Sequence, residues 1–152
     1  MSAVTGRDSF EALTFGLQGE VFALDANAVL EILDVVTVTE VPGADPFLPG
    51  LINVRGRVVP LADLRVKFGM PQAEATPDSR IIVVEIPLAG EELRVGLLAD
   101  KVYEVAEISG TAILDAPAIG MKWRADFIKA IGKRRDEFLV IPDIERIFTA
   151  DA

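Results

Sequence analysis

Apolar and polar residues alternate along most of this chain with a period of two, the pattern of a half-buried β-strand whose successive side chains point to opposite faces. Leu13, Phe15 and Leu17 alternate with polar or small residues, and after Gln18-Gly19 the chain resumes at Val21-Phe22-Ala23-Leu24, which predicts a hairpin. Asp25-Ala26-Asn27 breaks it. Val29 to Val35 then divides into Val29, Glu31, Leu33 and Val35 on one face and Leu30, Ile32 and Asp34 on the other, so Glu31 stands among apolar neighbours. Glu40 to Pro49, with Pro42, Gly43, Pro46 and Pro49, predicts a connection that crosses from one sheet to another. Met70 to Ser79 predicts an exposed loop. Strands follow over Arg80 to Glu85, Leu93 to Leu98 and Val102 to Ile108, with a turn at Ala89-Gly90-Glu91. Trp123 to Ile131 reads as one short helix, although Ile128 to Ile131 also suits the first arm of a last hairpin with Phe138 to Ile141 and a charged tip at Lys133 to Glu137.

At the centre lies Pro49-Gly50-Leu51-Ile52-Asn53-Val54-Arg55-Gly56-Arg57-Val58-Val59-Pro60-Leu61-Ala62-Asp63-Leu64. Gly56 is the second central residue of a two-residue loop, where φ turns positive without a Cβ clash. This predicts a hairpin with arms Leu51 to Val54 and Arg57 to Val59, ended by Pro60, and an arginine, Arg55, held out at its tip. Short strands, frequent turns and little helix predict an all-β barrel or sandwich.

The pattern repeats. Phe22-x-Leu24-x-x-x-x-Val29-x-Glu31-Ile32 returns with the same spacing as Val95-x-Leu97-x-x-x-x-Val102-x-Glu104-Val105. Val58-Val59-Pro60 before Asp63-Leu64 and Phe68 is echoed by Val140-Ile141-Pro142 before Asp143-Ile144 and Phe148. Two similar halves, approximately 13–75 and 80–148, are expected within one domain, with the C-terminal strands exchanged. Halves this small would share a core and leave a seam where another protein could dock.

Composition narrows the chemistry. The 152 residues include no Cys and no His, which removes thiol chemistry, the commonest general base, Ser-His-Asp triads and His-based metal sites. The serines are Ser2, Ser9, Ser79 and Ser109, and none lies in a nucleophile elbow. No glycine-rich phosphate loop is present. The carboxylate pairs Glu91-Glu92 and Asp136-Glu137 fall at predicted turns, where solvent keeps them ordinary. The expectation is a non-enzyme without cofactor or metal. A net charge of -9 argues against nucleic acid and against a polybasic membrane anchor. Met1 to Asp8 lacks the pattern of a signal peptide and no apolar run approaches the roughly 20 residues of a membrane span, so the cytoplasm is the expected location.

The run from Phe47 to Arg65 resembles the signature of the CheW family of bacterial chemotaxis coupling proteins, supported by Val29-x-Glu31-Ile32 upstream and Val95-Gly96-Leu97-Leu98-Ala99-Asp100-x-Val102 downstream. The resemblance spans about Leu13 to Phe148. It implies an all-β fold of two similar SH3-like five-stranded barrels packed together, with short helical turns. It also implies an adaptor that bridges the regulatory domain of a CheA-type histidine kinase and the cytoplasmic tip of methyl-accepting chemoreceptors. By motif, receptor contact falls on Val29, Glu31, Ile32, Asn53, Arg55, Ile81 and Val102, and kinase contact on Gly50.

Read from the residues alone, Arg55 offers a planar fork of donors to a partner carboxylate, or else pairs with Glu31 or Asp63 within the fold. Val29, Ile32 and Val102 read as core, and Asn53 as a turn former. Two alternatives accompany the chemotaxis adaptor: a coupling protein of a twitching, gliding or developmental pathway, and a β-barrel holding a small ligand.

Overall fold

The computed structural model describes residues 10–108, 113–114, 127–134 and 137–149. It is all-β, two similar SH3-like barrels packed together. One sheet has the order β10-β11-β12-β2-β1-β9 and the other β3-β7-β8-β6-β5-β4. The first is built from β1 (Phe10–Leu17), β2 (Glu20–Asp25), β9 (Lys101–Ile108), β10 (Ile113–Leu114), β11 (Ile128–Arg134) and β12 (Glu137–Pro142). The second comprises β3 (Val29–Asp34), β4 (Thr39–Glu40), β5 (Gly50–Val54), β6 (Arg57–Ala62), β7 (Arg80–Leu88) and β8 (Glu91–Ala99). Five longer strands thus make each barrel, and the two-residue β4 or β10 adds a sixth.

Adding six to every strand number converts one order into the other. Each sheet therefore draws strands from both halves of the sequence: β1 and β2 join β9 to β12, while β7 and β8 join β3 to β6. The internal repeat is the linear trace of this symmetry. Asp63 N donates to Phe47 O at 2.8 Å, and 80 residues later Asp143 N donates to Phe127 O at 2.9 Å. The equivalent rings cross over, Phe47 meeting Phe148 at 5.0 Å and Phe127 meeting Phe68 at 6.3 Å between centroids.

Each sheet keeps a small core of its own, around Phe10, Ile108 and Leu139 in one and Ile52, Val59 and Ile81 in the other. A larger core lies between them and takes Phe15 and Phe22 from the first sheet and Ile82, Leu97 and Leu64 from the second or its helix. The hairpin tips form as the X-Gly pairs require: Gln18-Gly19, Arg55-Gly56 and Ala89-Gly90 all have positive φ, the backbone of a type I′ turn. Two short helices follow equivalent hairpins, α1 (Leu64–Lys67) and α2 (Ile144–Thr149). The Asp63 side chain caps the first by accepting from Arg65 N.

Three expectations need correction. Glu40 to Pro49 does not cross between sheets, because β4 and β5 pair with each other as Thr39↔Leu51 and Glu40↔Gly50; the loop between them inserts Phe47 into the shared core. Pro60 does not end the hairpin, which pairs on through Leu51↔Pro60 and Gly50↔Leu61. Counted from the turn, Leu51↔Pro60 is a non-hydrogen-bonded position, so its missing N–H is not needed there. Ile128 to Ile131 is strand and not helix, since Ile128 and Ala130 are buried alternately with exposed Lys129 and pair with β12. The start of that expected helix, Trp123 to Asp126, and the tip residues Arg135 and Asp136 lie outside the described residues. Gly50, assigned by motif to kinase contact, is buried.

A Cβ on Gly50 would stand 2.5 Å from Thr39 O and 2.7 Å from Val38 Cγ1, so the bare backbone is what lets β4 approach β5. Gly50→Ala is expected to lower stability by about 1 to 3 kcal/mol in urea unfolding, the usual cost of overpacking. An unchanged midpoint would show that β4 is free to move aside.

Candidate functional site

Arg55 and Glu31 meet. The sheet that runs from β3 to β4 curls until residues near its opposite ends touch, and Arg55 Nε donates to both carboxylate oxygens of Glu31 at 3.2 Å. Arg55 remains 80% exposed and Glu31 24% exposed, so the guanidinium is both anchored and presented. Its two terminal nitrogens have no hydrogen-bond partner among the described residues. Asn53 Oδ1 accepts from Gly56 N at 2.9 Å, which fixes the tip and confirms Asn53 as a turn former. An exposed pair of this kind contributes at most about 1 kcal/mol. Its effect is to aim the side chain.

The outer face of β3, opposite Glu31, carries Leu30, Ile32 and Asp34. Ile32, read as core from sequence, is 42% exposed, as is Leu30 at 44%, because Val29, Glu31 and Leu33 form the inward face. Val29 and Val102 are half-buried against the shared core. They occupy equivalent places in the repeat, Val29 opening β3 and Val102 standing second in β9. Ile81 is fully buried in the core of its own sheet. Ile81 and Gly50 are both buried. The structure thus brings Glu31, Arg55 and Asn53 together, sets the outer face of β3 opposite Glu31, and leaves Ile81 and Gly50 inside.

The densest polar cluster escaped sequence reasoning. Arg65 is 4% exposed and gives Asp63 a bidentate pair, Nε to Oδ1 and Nη2 to Oδ2, both 2.9 Å. Nη1 reaches Ala73 O at 3.2 Å and Asp100 Oδ1 at 3.4 Å, and Gln72 Nε2 donates to Asp63 Oδ2. Asp100 in turn accepts from Gln18 N at 2.7 Å. One guanidinium therefore ties α1, the loop after it, the β8–β9 turn and the β1–β2 turn. The hydrogen bond that Arg65 donates to Asp63 raises the Arg65 pKa; burial opposes this, and the charges of Asp63 and Asp100 add to the rise. Arg65 stays a cation at any working pH. The available signal was an Asp-x-Arg pair opening a helix, which also fits a solvated helix end.

Among the described residues no group of three or more Asp or Glu is placed to hold a metal, and no helix is long and apolar enough to cross a membrane. The geometry is that of a binding module, an anchored cation and an apolar strand on a two-barrel frame. Residues 11–152 match the family model of the CheW-like domain, and the chain belongs to that family. CheW-family proteins are scaffold or adaptor proteins. The chain is 28% identical over 141 residues to the chemotaxis protein CheW of Klebsiella aerogenes, covering 93% of this chain and 82% of that one. The crystal structure of the scaffolding protein TtCheW from Thermoanaerobacter tengcongensis superposes with a TM-score of 0.82 at 31% identity, over 93% of this chain and 89% of that one. Protein PilI of Pseudomonas aeruginosa is 30% identical over 95 residues, 62% of this chain and 51% of its own.

Removing a single partner of the buried pair leaves a charge without compensation. Arg65→Met is expected to cost about 3 to 5 kcal/mol by denaturant unfolding, and adding Asp63→Asn to recover part of that loss. Additive losses would mean that the two groups are not coupled.

Proposed function

We propose that this chain couples chemoreceptors to a CheA-type histidine kinase, as a non-enzymatic adaptor working in the cytoplasm. The observation that carries the reading is Arg55, exposed yet aimed by Glu31 of β3, a strand whose opposite face leaves Leu30 and Ile32 exposed. A cation with free donors, together with exposed Leu30 and Ile32 on the strand that anchors it, suits a helical receptor tip that offers a carboxylate and aliphatic side chains, since arginine is enriched among interface hot spots. Glu31, Asn53, Arg55, Ile32, Val29 and Val102 form or border the proposed receptor surface. The kinase's regulatory domain binds elsewhere on the barrels. Similarity to Protein PilI keeps a second reading open, a coupling protein of a related motility pathway with the same kinase and receptor logic.

Calorimetric titration separates these readings. Binding to the regulatory domain of a CheA-type kinase with micromolar affinity is expected, and absence of heat there would overturn the chemotaxis assignment. Arg55→Glu should weaken binding to the receptor tip by about tenfold or more, roughly 1.4 kcal/mol, while shifting unfolding stability by only about 0.5 kcal/mol. A variant that unfolds would make Arg55 structural.

A further inference from the structure

The two halves treat one equivalent site differently. In the first half it is filled from within, by Arg65 seated on Asp63 and covered by the Ala73 carbonyl and the Gln72 amide. The matched hydrogen bonds to Phe47 and Phe127 relate Asp63 to Asp143, so the position of Arg65 falls on Glu145 in the second half. There the cation is replaced by an anion, and a cleft of about 230 Å³ lies open. Leu24, Ile86 and Ile144 line it with apolar surface, and Asp25, Asp143 and Glu145 bring three carboxylates. Among the described residues Lys129 is the single cation in its wall. Arg146, the next guanidinium along, does not line it and stands 3.9 Å from Asp143 at 66% exposure.

We propose that this cleft receives an arginine side chain of a partner protein, which takes the place that Arg65 holds in the other half. The template is within the molecule. Arg65 shows what such a site accommodates: a buried arginine whose planar fork meets a carboxylate. With three carboxylates against one lysine the charge balance calls for a cation. A second copy of this chain is a poor occupant, since its net charge of -9 repels the rim. The cleft shares no residue with the Arg55 surface, so the inference stands apart from the receptor reading and can fail without it.

The test uses the whole chain and a defined probe, the peptide acetyl-Gly-Leu-Arg-Leu-Gly-amide, followed by amide chemical shifts. Saturable shifts at Asp25, Ala28 and Glu145 are expected. Replacing the probe's arginine with uncharged citrulline, or the protein's Glu145 with Gln or Lys, should weaken binding about tenfold. Glu145 is exposed, so both variants are expected to keep the shift pattern of the fold. No saturable shifts, equal binding of the citrulline peptide, or unchanged binding by both variants would overturn the proposal. Binding that emerges only in Arg7→Glu would also overturn it, by identifying the chain's own Arg7, three residues before Phe10, as the occupant.

Discussion

Neither sheet can cover its own apolar surface, and this shortfall governs the architecture. Phe15 and Phe22 on one side and Ile82 and Leu97 on the other are almost wholly buried only because the two sheets face each other. Each such side chain removed from water stabilises the fold by about 1.5 to 3 kcal/mol, so the seam is a cohesive core and not a contact between independent domains. Strand exchange reinforces it. The chain passes from one sheet to the other through Ala26–Ala28 and again at Asp100, so neither barrel is made of one continuous half. For an adaptor this matters, because close-packed interiors transmit position with little give. A partner that fixes the orientation of one barrel fixes the other as well.

Two arginines ten residues apart show how the same side chain serves opposite ends on this frame. Arg65 is buried and spends its donors on Asp63, Asp100 and a backbone carbonyl, holding four segments together. Arg55 is bound through a single nitrogen and keeps the rest of its fork in solvent. Its positive φ is shared with Gln18 and Ala89 at the other hairpin tips, so the backbone does not single it out. What distinguishes it is the Glu31 carboxylate that holds it.

The hairpins were legible because X-Gly pairs between alternating runs dictate both turn type and register. The repeat was legible because exchange between two sheets preserves strand spacing. Sheet membership was not: the prolines of Glu40 to Pro49 mark a loop, but nothing local reveals that Phe47 folds it back to the same sheet. Burial was legible only where alternation was unambiguous. Both faces of β3 carry aliphatic residues, so the exposed side of Ile32 emerges only once Val29 and Leu33 have been packed. Arg65 was hidden for a related reason, since Ala73 O and Asp100, which join the nearby Asp63 around it, are brought there by the following loop and by a turn 35 residues further on.

Hydrogen–deuterium exchange of the chain with and without a receptor-tip fragment tests the central claim most directly, because it asks where the partner sits without altering any residue. Slowed exchange should be confined to β3 and the turn from Asn53 to Arg57, with the start of β9 across the seam, while the Arg65 cluster stays as protected as before. Unchanged exchange at β3 and the Arg55 turn, with protection arising on another face, would contradict it.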